Sequence, residues 1–275
     1  MSARSHLYVP GDAPEKLAKA LGRGADALIV DLEDAVPAAA KDTARRTVAD
    51  WLRAAEPGPV ELWVRVNSGE SREADVRAVA TAPALTGLVV AKTETAEELV
   101  ALDALLTGLG ADRVRVAPLL ESAGAVLRAP QIAAAPRVAR LQIGEADLCV
   151  DAGITPGPDA RELLWVRSQV VLASAAAGIE PPVGPVSTDF RDLDALREST
   201  RELARLGYGG RACIHPAQVA VVNEVFTPSA EEVARARDLV DRFTAAGSGV
   251  LLDASGRMVD AAIVRQARRI LARAR

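Results

Sequence analysis

The sequence predicts an α/β protein, a (β/α)8 TIM barrel over residues 1–228 with a helical and hairpin extension over residues 229–275. Three observations predict it. Strand-like and helix-like stretches alternate through eight units with short connections. Nearly every predicted strand ends in a polar or charged residue, as expected if the carboxyl ends of the strands meet at one catalytic rim. The chain has 275 residues, 49% hydrophobic and 25% charged, which suits one barrel of about 250 residues plus a short addition.

Composition narrows the class further. Aromatic residues make up only 3%, so the core has to be built from Val, Leu, Ile and Ala. No apolar run approaches the roughly 20 residues of a membrane span. The amino-terminal stretch MSARSHLYVPGD is too short in apolar residues for a signal peptide. The two cysteines, Cys149 and Cys213, are far apart without metal-like spacing, so a cytoplasmic location is expected. Arginines are interspersed with acids and the net charge is −4, which argues against a nucleic-acid partner.

The elements follow in order. SHLYVPG is a first strand closed by the turn Pro10-Gly11, and EKLAKALGRG is a helix, capped by Asp12 or Ala13 and ended by Gly22 or Gly24. The second strand, ALIVDLEDA, runs into Asp31, Glu33 and Asp34. Three neighbouring carboxylates repel one another and need cations close by, unless they form a solvated acidic turn before the helix AAKDTARRTVADWLRA. The third strand, ELWVRVNS, carries Arg65 among apolar residues, from where it reaches the acids of the second strand, an anionic substrate, or both. A helix around READVRAVATA leads to the fourth strand, GLVVAKTE, ending at Lys92 and Thr93. Thr95 and Glu98 then fit a capping box. Lys92 is either an active-site cation or a rim residue with its head in water.

The fifth strand, VRVAPLLESAG, alternates and then delivers one acid, Glu121, beside small residues; the plainer reading is an acid facing a helix amino terminus. The sixth, VARLQIGEADL, ends in Gly144, Glu145 and Asp147, followed by the helix DARELLWVRSQVVLASAAAG. The seventh, PPVGPVSTD, is weakened by its prolines, and the helix DLDALRESTRELARLG leads to the eighth, GRACIHPA, with His215 at its end. After AQVAVVNEVF come the amphipathic helix SAEEVARARDLVDRFTAA, a hairpin turning at Ser255-Gly256, and the terminal helix AAIVRQARRILARAR. The apolar face of that last helix (Ile263, Val264, Ala267, Ile270, Leu271) docks on the same barrel or on a neighbouring subunit.

If the strands lie as predicted, one rim gathers Asp31, Glu33, Asp34, Arg65, Lys92, Glu121, Asp147 and His215. Glu121 and Asp147 come from adjacent strands and can share an ion. Acids without a Cys/His cluster suit Mg²⁺ better than zinc, and such an ion suits a substrate that chelates through adjacent oxygens, as α-keto and α-hydroxy acids do. Arg65 would then face the oxyanion of a developing enolate. His215 has no acid or nucleophile fixed beside it by sequence and reads as a structural strand-end histidine.

The segments RSHLYVPGDAPEKLAKALGRGADALIVDLEDAV, VRVN, PLLESAG, GEADLCVDAG and GRACIHPAQVAVVNEVFTPSAEEVARA, in this order and over essentially the whole chain, resemble the citrate lyase β-subunit-like proteins of the aldolase/citrate lyase family. The resemblance implies a (β/α)8 barrel, Mg²⁺, coenzyme A thioester substrates and reversible carbon–carbon cleavage. It implies Glu121 and Asp147 as metal ligands, Arg65 as a substrate-binding arginine, and Glu33 and Asp34 as acids around metal-bound waters. Gly144, Lys92 and Pro118 are the accompanying candidate substrate contacts. Asp260 of GRMVDAAIV stands where related lyases carry a carboxylate that reaches a neighbour's site, although it is also a natural helix N-cap. Two segments depart from the family pattern: AKTET replaces a proline-lysine-valine-glutamate-like stretch, and GEADL lacks the acid directly before Asp147.

The expectation is a Mg²⁺-dependent lyase for a malyl-, citramalyl- or citryl-CoA type thioester, assembled as a homotrimer or homohexamer, with synthase or thioesterase output open. The alternatives are the β subunit of a multisubunit citrate lyase acting on a carrier-protein-bound citryl thioester, and a CoA-independent metal enzyme for pyruvate or phosphoenolpyruvate.

Overall fold

The strand–helix alternation closes into a ring. In the computed structural model, which describes residues 3–246, 250–252 and 258–274, eight parallel strands pair in chain order and the last returns to the first. The strands are β1 (Ser5–Pro10), β2 (Ala27–Asp31), β3 (Glu61–Val66), β4 (Leu85–Val90), β5 (Arg115–Leu120), β6 (Gln142–Ile143), β7 (Val183–Gly184) and β8 (Gly210–Cys213). Between them run α1 (Pro14–Ala20), α2 (Lys41–Ala54), α3 (Ser71–Val79), α4 (Ala96–Gly108), α5 (Ala123–Leu127), α6 (Ala129–Ala133), α7 (Glu145–Ala152), α8 (Leu164–Ala177) and α9 (Leu193–Leu206). Helix α10 (Pro216–Phe226) follows β8.

Both faces of each strand are covered, which is why the strands read as nearly unbroken apolar runs. Val9, Val30, Val64, Leu88 and Val116 are successive register partners that face the helices. The alternate residues Tyr8, Ile29, Trp63, Gly87 and Arg115 form the neighbouring inward belt. Trp63 is buried and fills the interior at that level. It can do so because residue 87 has no side chain: a Cβ there would lie 2.5 Å from the Trp63 ring and 2.6 Å from the Arg115 carbonyl.

The amino-terminal end of the barrel is closed by charge. Arg140 is buried 5.0 Å from the centre of the Trp63 ring and binds Glu61 at 2.8 Å and Glu180 at 2.7 Å. His6 lies 3.4 Å from Arg140; burial, then the Arg140 charge, push its pKa down to about 3, so it is neutral. At the carboxyl end, by contrast, Asp34, Lys92 and Asp147 are exposed to solvent.

Several local expectations change. The sixth and seventh strands shrink to two residues each, since Pro181, Pro182 and Pro185 have no N–H to give the ladder and the chain turns into α7 directly after Gly144. Thr95 occupies the N-cap of α4 without a side-chain bond, and Glu98 instead accepts from the Glu94 N–H at 3.2 Å. Ala13, not Asp12, caps α1, again without a side-chain bond, and a short 3₁₀ turn precedes the left-handed Gly24.

Beyond the barrel, α11 (Ala230–Ala246) is followed by β9 (Val250–Leu252), β10 (Met258–Asp260) and α12 (Ala261–Arg273). β9 and β10 pair antiparallel, as a hairpin requires; the Ser255-Gly256 turn lies outside the described residues. Helix α12 packs along α11, with Val259, Val264, Ala267 and Ala236 buried, while Ile263 remains 40% exposed. No helix among the described residues is long and apolar enough to cross a membrane.

Candidate active site at the barrel mouth

Asp31 ends β2 and Arg65 lies one residue before the end of β3, and the two are direct register partners on the inward face. The guanidinium binds the carboxylate through both edges, Nε to Oδ1 at 2.7 Å and Nη2 to Oδ2 at 2.6 Å. The same carboxylate accepts the N–H groups of Glu33 at 2.9 Å and Ala35 at 3.0 Å, so Asp31 also shapes the loop behind it. Arg65 Nη1 continues to Glu33 at 2.9 Å and Asp34 at 3.4 Å, and its charge lies 5.0 Å from the centre of the Tyr8 ring. Tyr8 receives a bond from Gln142 at 2.8 Å. Although burial opposes it, the Asp31 bond holds the Arg65 pKa above its ordinary value. Both open readings of Arg65 thus begin from one fact: its direction is set by a buried acid.

Glu33 is buried and carries the next cation. Lys92 Nζ binds its Oε1 and lies 3.5 Å from Asp34. Burial and the contact with Asp34 raise the Glu33 pKa. Asp34 moves the other way: its partial burial is outweighed by the bond from Glu33 and the charges of Arg65 and Lys92. Lys92 is raised to about 12, chiefly by Glu33, and so stays charged. Underneath, Lys41 reaches the carbonyls of Leu32 at 2.7 Å and Glu33 at 2.5 Å, and Asn67 holds Leu32 O at 2.9 Å. The acidic loop is a built structure.

Glu121 stands opposite, directly after β5 and 6% exposed. One oxygen accepts the Lys92 backbone N–H at 2.8 Å. Burial pushes its pKa up to about 8, and the nearby charges of Glu33 and Asp147 add to that while Arg65 opposes it. Gly144 is pressed against it, since a Cβ at that position would lie 2.7 Å from the Glu121 carboxylate. Asp147 is not at a strand end, as read from the sequence, but in the first turn of α7, exposed at the mouth. Glu145, two residues earlier, points away into a paired contact with Arg167 at 2.6 and 2.8 Å.

The mouth therefore gathers five carboxyls (Asp31, Glu33, Asp34, Glu121, Asp147) around two cations, Arg65 and Lys92. A carboxyl whose pKa is raised by burial, with neighbouring acids adding to the shift, is a group whose proton a bound cation would displace. Among the described residues no three or more His, Cys, Asp or Glu converge as a complete metal cage. Two carboxylates, Glu121 and the exposed Asp147, fit a hard divalent ion that keeps waters or takes substrate oxygens for its remaining positions.

The remaining sequence candidates lie elsewhere. His215 caps α10 through Nδ1, at 3.2 Å from the Ala217 N–H, and stacks on Phe190 at 4.7 Å, in line with its structural reading. Pro118 is buried mid-strand, and alternation along β5 puts it with Val116 and Leu120 on the helix-facing side. Asp260 is the N-cap of α12, accepting from Ala262 at 2.8 Å and Ile263 at 3.1 Å. Tyr8 had no assigned role in the sequence reading. Among the second-strand acids that Arg65 was expected to reach, Asp31 makes the two-edged contact, as inward parity on adjacent strands requires.

A sequence model of the HpcH/HpaI aldolase/citrate lyase family matches residues 4–216. The chain is 36% identical to a citrate lyase subunit beta-like protein of Deinococcus radiodurans, covering 98% of this chain and 96% of that one. It is 35% identical to a (3S)-malyl-CoA thioesterase of Cereibacter sphaeroides, covering 98% and 94%. Among solved structures, the CitE protein of Mycobacterium tuberculosis in complex with magnesium, acetoacetate and coenzyme A superposes with a TM-score of 0.82 at 30% identity, covering 99% of this chain and 98% of that one.

Proposed function

The chain belongs to the HpcH/HpaI aldolase/citrate lyase family, and from that premise we propose that it is a Mg²⁺-dependent carbon–carbon lyase for a 3-hydroxyacyl-CoA thioester of the malyl, citramalyl or citryl type. One observation carries the reading: a buried carboxyl, Glu121, faces a second acid, Asp147, across from a guanidinium whose direction is fixed by Asp31. The relatives named for malyl-CoA and citrate chemistry, and the superposed protein holding magnesium, acetoacetate and coenzyme A, supply the substrate class.

Glu121 and Asp147 would hold the ion, which when bound lowers the cost of removing a proton from the substrate hydroxyl and anchors the adjacent carboxylate oxygen. The bond between the hydroxyl-bearing carbon and its neighbour then breaks, leaving a carbonyl on one fragment and an enolate on the thioester fragment. Arg65 supplies the positive charge that this enolate meets, with its direction fixed by the paired Asp31 contact. Glu33 and Asp34, held by Arg65 and Lys92, would accept hydrogen bonds from waters that a bound ion keeps. Gly144, with no side chain, lets the Glu121 carboxylate lie against the β6 end. The enolate takes its proton from an acid brought to the open mouth, assigned to Asp260 of a second copy in a homotrimer or homohexamer. The same groups run backwards as a condensation. Hydrolysis of the thioester at this mouth would give a thioesterase outcome, a reading favoured by the thioesterase relative. A cytoplasmic location suits coenzyme A substrates.

The test is a panel of malyl-, citramalyl- and citryl-CoA with and without Mg²⁺, read as keto acid and acyl-CoA formed. Cleavage that needs the metal supports the proposal; no Mg²⁺-dependent release of keto acid from any of them refutes it.

A further inference from the structure

Lys92 has a backbone conformation that lysine rarely adopts. Its φ is +51° in the two-residue turn that follows β4, a position where glycine or asparagine is the ordinary choice. The turn is held from beyond: the buried Thr93 hydroxyl donates to Val90 O at 2.8 Å and the Thr93 N–H to Leu119 O at 3.3 Å. The left-handed residue turns its N–H across to the next strand, where it meets the Glu121 carboxylate at 2.8 Å. Its side chain leaves in another direction and binds Glu33. On the far side of Glu121, Gly144 leaves no slack.

Glycine at 92 would present the same N–H without strain, so the strain is explained only if the ammonium is needed too. We propose that Lys92 is a two-ended positioning residue: its left-handed backbone aims Glu121 for the metal, and its ammonium holds Glu33 in the acidic loop. Lysine is then not primarily a substrate contact. This rests on the metal reading above, and it explains a strained residue at a functional mouth by two separate contacts from one position.

Four substitutions that all remove the ammonium separate the two ends: Lys92→Gly, Lys92→Asn, Lys92→Ala and Lys92→Val. They differ in their tolerance of positive φ, which falls from glycine and asparagine through alanine to the β-branched valine. Mn²⁺ affinity measured by calorimetry should follow that order. Glycine and asparagine should bind the ion alike, alanine should lie between, and valine should be about tenfold weaker than glycine. Raising Mg²⁺ should restore turnover to the valine variant toward that of the glycine variant. If valine does not fold, the glycine and alanine pair carries the comparison. Equal Mn²⁺ affinity across the series overturns the backbone role. Unchanged turnover of Lys92→Gly at saturating Mg²⁺ overturns the ammonium role. Absence of Mn²⁺ binding by the unaltered protein overturns the metal reading, and this inference with it.

Discussion

Replacing Asp31 with asparagine tests the contact on which the mouth is assembled. The Asp31 side chain is 2% exposed and that of Arg65 11%, so both charges are largely out of water. Asp31 accepts four bonds, two from the guanidinium and two from the backbone of Glu33 and Ala35. Asparagine keeps one oxygen and turns an NH₂ toward donors at the other edge. Removing one partner of a buried ion pair costs about 3–5 kcal/mol, because the other charge stays behind uncompensated. Glu33 and Asp34 remain within reach of Arg65, which favours the lower end, about 3 kcal/mol. For a chain of 275 residues that is a fall in Tm of roughly 5 °C. Urea unfolding followed by circular dichroism measures it, together with the double variant Asp31→Asn/Arg65→Met, which removes the stranded charge and should cost clearly less than the two single changes added. A loss below about 1 kcal/mol for Asp31→Asn, or simple additivity in the double variant, would refute the reasoning.

Three further outcomes follow from the same geometry. Glu121→Ala and Asp147→Ala should each leave a folded protein with no metal-dependent turnover; full activity in both removes the metal assignment. In the metal-free protein, the Glu121 carboxyl has its pKa raised from 4.5 to about 8, so the unfolded chain releases that proton first and stability falls as pH rises between those values, levelling off above the upper one. Against Glu121→Gln the difference should grow to at most about 4–5 kcal/mol by the alkaline end of that window and vanish near pH 4, with Mg²⁺ reversing it only in the unaltered protein; a flat difference across pH contradicts the assigned burial. Mixing Asp260→Ala and Arg65→Ala subunits, each inactive alone, should recover part of the activity if the carboxylate crosses between chains. No recovery in verified mixed oligomers rejects that crossing.

Much of the mouth was legible because barrel parity is simple. Alternation along an apolar strand and its polar ending were enough to bring Glu33, Asp34, Arg65, Lys92 and Glu121 to one rim, where the structure places them. The sequence also sent Arg65 toward the acids of the second strand, and the register singles out Asp31 among them as its two-edged partner. Asp147 was placed on a strand because GEADL continues an apolar run, yet Gly144 lets the chain turn at once into α7. Glu145, equally acidic and nearer the strand, is drawn off by Arg167, which lies 22 residues later and belongs to another helix. Pro118 shares the motif of Glu121 and faces the other way.

What the sequence determined by itself is the architecture: eight apolar strands, each recognisable or flanked by helices that imply it, alternate with helices as a parallel sheet with both faces covered requires, here closed into a barrel. What only the tertiary structure decided is how each charge is spent. Carboxylates and guanidinium groups are interchangeable as letters, and their partners are chosen by distances of a few ångströms between elements far apart in the chain. The left-handed backbone of Lys92 shows the limit most plainly, for nothing in AKTET signals a positive φ, and it is the shape of that turn which aims an N–H at Glu121.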